Sequence, residues 1–243
     1  MVRTTYRNAV KGILCGVFMF CVVAGIAENV GAADYKLPYA LAFDGQNAHV
    51  DFGELEEVTL EDELTVEMWV RVDRHDDNNR RWMQLQADGK NQVIIRQGRI
   101  GWANALNIDH SAGGKVKRIL SKHDFTDTVD MRRWNHIAYV ARAGGEASVY
   151  LNGERIPDRF DRFDNNTFVE DLPEFTFEEP SLTIPASAED PLLNGRIAEV
   201  RIWDHVRSRS EILDNMYTRL SGSEKGLVGY WPMNEAEGDT VQD

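Results

Sequence analysis

The sequence predicts an all-β fold: a sandwich of antiparallel sheets with one short helix in the C-terminal half of the chain. Three observations carry this. The dominant hydrophobic period is two, most clearly in Leu64-Thr65-Val66-Glu67-Met68-Trp69-Val70-Arg71-Val72; such alternation marks a strand with one buried face. Turn dipeptides divide the alternating runs: Asp44-Gly45, Asp88-Gly89, Gly113-Gly114, Gly144-Gly145, Asn152-Gly153 and Asn194-Gly195. A helical period occurs in one stretch alone, near residue 212.

The elements follow in order. The first segment stands outside the fold. Arg3, Arg7 and Lys11 precede an apolar run from Gly12 to Ile26, and small residues follow at Gly25-Ile26-Ala27 and Val30-Gly31-Ala32. This is the order of a secretory signal, assigned to residues 1–33. The run is shorter than the ~20 residues of a spanning helix, which favours cleavage over a retained anchor. Cys15 and Cys21 are the chain's two cysteines and both lie inside that segment. Cleavage would therefore exclude a disulfide scaffold, a zinc–thiolate site and a cysteine nucleophile together.

Strands are expected at Tyr39 to Phe43, Val50 to Phe52, Leu64 to Val72, Trp82 to Ala87, Gln92 to Arg96 and Ile100 to Asn107. Others are expected at Ile137 to Val140, Ala147 to Leu151, Leu182 to Ile184, Ile197 to Trp203 and Leu227 to Trp231. Asn152-Gly153 supplies the positive φ angles of a tight hairpin. Pro173 to Pro191 reads as a long loop around one short strand. Ser208 or Ser210 caps a helix whose Ile212, Leu213, Met216 and Leu220 share one face, with Gly222 as its stop.

The chain has 243 residues and a formal charge of −13. That balance argues against duplex nucleic acid and against electrostatic docking to anionic lipid. The tracts at 73–79 and 158–164 are oxygen-rich but lack the glycine and terminal glutamate of a helix-loop-helix calcium site, so they read as solvated loops. Asn165-Asn166-Thr167 is a glycosylation sequon, meaningful only in a eukaryotic secretory pathway.

Six landmarks occur in sequence order: Leu41-Ala42-Phe43-Asp44-Gly45 leading to Val50, Thr65-Val66-Glu67-Met68-Trp69-Val70, Arg133-Trp134-Asn135-His136, Val149-Tyr150-Leu151-Asn152-Gly153, Asn194 to Trp203 leading into Arg207-Ser208, and Gly226 to Asn234. Together they resemble the laminin-G-like jelly-roll domains of the concanavalin A-like lectin/glucanase superfamily, close to the pentraxin-like bacterial type. The resemblance covers residues 36–243. It implies a two-sheet antiparallel jelly roll and a noncatalytic extracellular module that binds carbohydrate or protein, often with a structural calcium. Relatives often carry Asp-Glu where this chain has Ala198-Glu199. Asp44 and Glu199 then remain as candidate calcium ligands, fewer than the ~6 oxygens a hard cation takes. Relatives also tend to continue past Asp243, which leaves room for a longer parent protein.

Residue by residue, Trp69 and Trp134 fit core packing. His136 follows Trp134 by two, shares its face and reads as a buried, hydrogen-bonded histidine, because no nucleophile or orienting carboxylate stands beside it in sequence. Glycanases of this superfamily use closely spaced acids on one strand. Glu54 to Glu57 and Glu61-Asp62-Glu63 lack that spacing and read as charged loop edges. No nucleophile elbow, zinc helix or phosphate loop is present. The expected function is recognition of an extracellular glycan or protein by a secreted, cell-surface or periplasmic module, without membrane insertion after signal cleavage. The alternatives are a glycoside hydrolase or lyase on the same sandwich, or a structural module of a larger surface protein. Trp82 and Trp102, with Asn104 and Asp109, are the candidate ligand-binding residues: an indole flanked by amides and carboxylates suits a sugar's apolar face and its ring of hydroxyls.

Overall fold

A computed structural model describes residues 28–29, 36–37, 39–46, 48–74, 80–100, 103–120, 131–156, 171–185 and 192–233. The signal segment apart from residues 28–29, Trp102, the 158–164 tract and the sequon lie outside the described residues, as does most of the 73–79 tract.

The alternating runs form the strands, in chain order. They are β1 (Glu28–Asn29), β2 (Lys36–Leu37), β3 (Leu41–Asp44), β4 (Val50–Glu54), β5 (Thr59–Glu61), β6 (Glu63–Val72), β7 (Arg80–Gln86), β8 (Gln92–Ile100) and β9 (Ala103–Ala112). Then come β10 (Lys115–Leu120), β11 (Asn135–Arg142), β12 (Ser148–Leu151), β13 (Glu154–Arg155), β14 (Thr176–Glu178), β15 (Ser181–Ile184), β16 (Asn194–Trp203), helix α1 (Arg209–Asn215) and β17 (Leu227–Trp231). One sheet has six strands in the order β10-β9-β8-β7-β15-β4. The other runs β13-β12-β11-β6-β16-β17, with β3 also on β16. The pairs β5–β14 and β1–β2 stand apart. All the paired strands are antiparallel, as the alternation predicts. β3 pairs with residues 194–197 of β16 and β17 with residues 200–203, so the first and last strands of this sheet lie end to end along one edge of β16.

The core lies between the sheets. Leu64, Val66, Met68, Val70, Ile137 and Tyr139 of one meet Val93, Ile95, Leu106 and Ile108 of the other, all nearly inaccessible. Each such aliphatic side chain contributes roughly 1.5–3 kcal/mol by leaving water. Alternation sends Thr65, Glu67 and Trp69 of β6 to the opposite, outer face of the seven-stranded sheet. Trp69 and Trp134 are buried there, against Leu37, Ala40, Ala198 and Tyr217, and not between the sheets.

The helix covers the middle of that outer face. Ser208 is its N-cap, and Ser208 and Glu211 form a reciprocal capping box. Ile212 is buried against Ala138 and Val140 of β11. The helix ends with Met216 as its C-cap, six residues before Gly222, so that glycine is not its stop. Gly153, at φ 78° in the β12–β13 turn, lets α1 dock: a Cβ there would lie 2.2 Å from Leu213 Cδ2.

Three expectations need correction. Ile100 to Asn107 is not one strand: Ile100 pairs with Ala103, ending β8 and starting β9. Pro173 to Pro191 holds two strands, β14 and β15. Glu54, Glu61 and Glu63, expected at loop edges, lie in β4, β5 and β6.

Candidate functional site

Polar chemistry collects at two places, on the outer faces of the two sheets. On the seven-stranded sheet, Glu67 stands at the centre of a sealed ionic cluster. Arg207 donates to its Oε1, His136 Nε2 lies 3.2 Å from its Oε2, and Arg201 is 3.8 Å away. Arg201 also donates to Glu199 at 3.0 Å and to the carbonyls of Asn215 and Thr218, and the Tyr230 hydroxyl donates to Glu199 at 2.8 Å. A β-bulge makes this possible. β16 has one residue more than β6 between its Ala198 and Arg201 pairings, and Glu199 occupies it at φ 52°. Ala198 and Glu199 can then both serve the outer face.

Burial alone would raise the Glu67 carboxyl, but His136, Arg207 and Arg201 outweigh it and hold the group at about 2. Burial pushes the His136 imidazole down against the pull of Glu67, and it pushes the Tyr230 phenol up, with Glu199 adding to the rise. Glu67, His136, Arg201, Glu199 and Arg207 are all at most 4 % exposed, so the cluster offers a ligand no approach. Its use is to anchor residues 205–218 onto the sheet.

The outer face of the six-stranded sheet differs. Register places three cross-strand rows on it, because directly opposed residues of paired strands share a face. One row runs Gln86, Gln92, Ser111 and Val116. The next runs Gln84, Ile94, Asp109 and Arg118, with Thr183 beyond Gln84 on β15. The third runs Arg81, Arg96 and Asn107. Gln84 donates to Gln86 and, at 2.9 Å, to Gln92. Asp109 is gripped by Arg96 at 2.6 Å and by Arg118 at 2.5 Å. Asn107 is buried, yet its Oδ1 accepts no hydrogen bond among the described residues. The glutamines and Arg81 are half-buried, while Asn107, Asp109 and Ser111 form a deeper floor. The face thus offers the half-buried amides of three glutamines and an ion-pair triad, above a buried floor that includes Asn107.

Of the four expected ligand-binding residues, Asp109 alone is brought to this face with a described side chain. Trp82 is a correction: it is 1 % exposed and belongs to the core between the sheets. A bulge explains it. β7 has one residue more than β8 between the Arg81–Arg96 and Met83–Ile95 pairings, so Trp82 and Met83 can both turn inward. Asn104 pairs with Arg99 in the β8–β9 ladder, with its side chain outside the described residues. Trp102 lies wholly outside them.

The two expected metal ligands are not brought together. Asp44 pairs with Asn194, and Glu199 lies five residues further along β16, roughly 15 Å at the rise of a strand. Asp44 Oδ1 accepts the backbone N–H groups of Gln46 and Ala48, which fixes its turn. Glu199 is taken up by Arg201 and Tyr230. Among the described residues no group of three or more His, Cys, Asp and Glu side chains could hold a metal ion.

The site residues that sequence reasoning missed are Gln84, Gln86, Gln92, Arg96, Asn107 and Arg118. A signal was present: in Gln84-Leu85-Gln86 and Gln92 to Arg96 the polar partners of the alternating apolar residues are amides and a guanidinium.

Known proteins share this fold. Domain 4 of AbnA, an extracellular arabinanase from Geobacillus stearothermophilus solved in complex with arabinotriose, is 20% identical with a TM-score of 0.53, over 75% of this chain and 78% of that one. The ligand-binding domain of botulinum neurotoxin serotype D, solved with N-acetylneuraminic acid, is 14% identical with a TM-score of 0.55, over 79% of this chain and 44% of that one. The enzymatically active domain of tailspike protein 2 from bacteriophage CBA120 is 14% identical with a TM-score of 0.57, over 81% of this chain and 30% of that one. No functionally curated protein matches the chain in sequence. Among the described residues no helix is long and apolar enough to cross a membrane. The Laminin_G_3 profile matches residues 44–213, well over half of the sequence, and the two facing antiparallel sheets agree with it. The chain belongs to the Laminin_G_3 family of the concanavalin A-like lectin/glucanases superfamily.

Proposed function

We propose that this protein is a noncatalytic recognition module that binds carbohydrate through the outer face of its six-stranded sheet. The observation that carries the reading is the juxtaposition of Gln84, Gln92, Arg96 and Asp109 on three neighbouring strands. A few fixed polar groups on a rigid scaffold suit the paired hydroxyls of a sugar and set its orientation. The relatives solved with arabinotriose and N-acetylneuraminic acid support a glycan as the kind of ligand. The order of charge, apolar run and small residues in 1–33 supports export to the cell surface or beyond.

The alternative, a hydrolase, needs two carboxyls ~5 Å apart, or ~6.5–9.5 Å for inversion. Asp109 is held by two arginines. The strand carboxylates that register brings nearest to the same face, Asp51 and Glu54, are on β4, four strands away. That is roughly 19 Å at the usual strand spacing. Glu67 and Glu199 are sealed under residues 205–218.

Binding to a panel of plant, algal and bacterial polysaccharides tests the reading. The double variant Gln84→Ala/Gln92→Ala should lose at least tenfold in affinity with an unchanged melting temperature, and no polymer should release reducing sugar. Turnover above background that Asp109→Asn abolishes would make the protein an enzyme.

A further inference from the structure

Three glutamines on the outer face of the six-stranded sheet are tied into one unit. Gln84 and Gln86 are two residues apart on β7 and share a face, and Gln92 of β8 lies directly opposite Gln86. Gln84 Nε2 donates to Oε1 of Gln86 and, at 2.9 Å, to Oε1 of Gln92. A side-chain amide has two N–H donors, so both hydrogens of Gln84 are spent inside the unit. This fixes the sense of all three amides. Gln84 is left with an acceptor, its Oε1. Gln86 and Gln92 are left with donors, their Nε2 groups. Among the described residues none of these three atoms takes a hydrogen bond and none is sealed from solvent.

The charges beside the unit are already committed. Asp109 accepts from Arg96 and Arg118. Arg81, Arg96 and Arg118 have further interactions. An ionised acid group accepts hydrogen bonds and donates none. Seated on the glutamines, it would set a second acceptor against Gln84 Oε1 and leave that oxygen without its hydrogen bond. Seated on an arginine, it would have to displace a partner. A hydroxyl both donates and accepts. Two hydroxyls on adjacent carbons therefore match the unit: one donates to Gln84 Oε1, and its neighbour accepts from Nε2 of Gln92 or Gln86. Neither side needs a charge.

We infer that the ligand is a neutral glycan held by a vicinal diol, with Gln84 accepting one hydroxyl proton and Gln86 and Gln92 donating to the neighbouring oxygen. This rests on the carbohydrate reading above and adds the ligand's charge and the polarity of each contact.

The probes are neutral arabinan, neutral dextran, polygalacturonate and dextran sulfate, with the two neutral polymers also tested after periodate cleavage of their diols and borohydride reduction. Each is titrated into the parent protein, the Gln92→Glu variant and an Arg142→Gln control, at low and at high salt. Gln92→Glu keeps an oxygen for Gln84 Nε2 and replaces the outward donor by an acceptor. Arg142 is on the other sheet, in an exposed ion pair with Glu63, and its replacement changes the net charge by the same amount. At least one neutral polymer should bind, with little dependence on salt and roughly tenfold tighter than either acidic polymer. Diol cleavage should abolish that binding. Gln92→Glu should weaken it about tenfold with an unchanged melting temperature, and Arg142→Gln should leave it as it was. An acidic polymer that binds tightest, or a neutral one whose binding survives diol cleavage or Gln92→Glu, would overturn the inference. The carbohydrate reading would stand without it where Gln84→Ala/Gln92→Ala still abolishes that binding. Absence of binding to all four polymers by the folded protein would count against both.

Discussion

The two outer faces of this sandwich use the same ingredients for different ends. On the seven-stranded sheet, Glu67, Glu199, Arg201, Arg207 and His136 are crowded together and shut under residues 205–218. On the six-stranded sheet, Asp109, Arg96, Arg118 and three glutamines are spread over four strands, with Arg81, Gln84, Gln86 and Gln92 half-buried. The difference is coverage. A carboxylate with its arginines is shut off where a helix segment seals it, whereas on the six-stranded sheet the glutamines and Arg81 around it keep access to solvent. Acidic and basic residues that converge are therefore no guide to function until their accessibility is known.

The largest expected effect breaks the sealed face. Glu67→Gln keeps the shape but leaves Arg201, Arg207 and His136 without their counter-charge. Removing one partner of a buried ionic cluster costs roughly 3–5 kcal/mol. Urea unfolding should show this loss, while the folded protein keeps its glycan affinity. A variant as stable as the parent would show that the cluster does not hold the helix segment down.

Acid probes the interior between the faces. His110 sits among Phe175, Phe177 and Tyr139, and burial pushes its imidazole from 6.5 down to about 3. Its folded value lies below its unfolded one, so its contribution is complete above about pH 6.5. It is lost as pH falls, at about 1.4 kcal/mol per pH unit down to about 3. Glu67 adds a second loss lower down, as pH falls from 4.5 toward its folded value of about 2. His110→Phe should flatten the slope of stability between pH 6.5 and 4.5 by that one proton. An unchanged slope would place the titration elsewhere.

A smaller effect tests the seal. Ser208→Ala removes the side chain that accepts from the Glu211 N–H at the start of α1. The expected loss is ~1 kcal/mol, with faster amide exchange in residues 209–215 and none in β7 to β9. Equal exchange throughout would mean that α1 does not open independently.

Much of the sandwich was legible in the sequence, for a local reason. β6, β11, β16 and β17 announce themselves because apolar and polar residues alternate along them, and Asn152-Gly153 with Ser208–Glu211 mark a hairpin and a helix start by chemistry within four residues. β5, β10 and β14 were missed because they are short or lie at a sheet edge, where charged residues such as Lys115 and Lys117 replace the apolar signal. The site was less legible still. Trp82 was misplaced because one extra residue in β7 reverses the face of everything before it, and a bulge has no sequence mark here. Gln84, Gln92 and Asp109 become neighbours only through the register of three strands, which no single segment encodes.

The central claim is that the outer face of the six-stranded sheet binds the glycan, and the side-chain amides of the glutamines test it most directly. Their N–H₂ signals can be followed by NMR as an oligosaccharide of the tightest-binding polymer is titrated into the protein. The account predicts saturable shifts of Gln84, Gln86 and Gln92, together with the backbone amides of 92–96 and 107–111, while residues 205–218 and the Asp44 turn stay still. Saturable shifts confined to residues 205–218 or to the Asp44 turn, with the three glutamines unmoved, would contradict it.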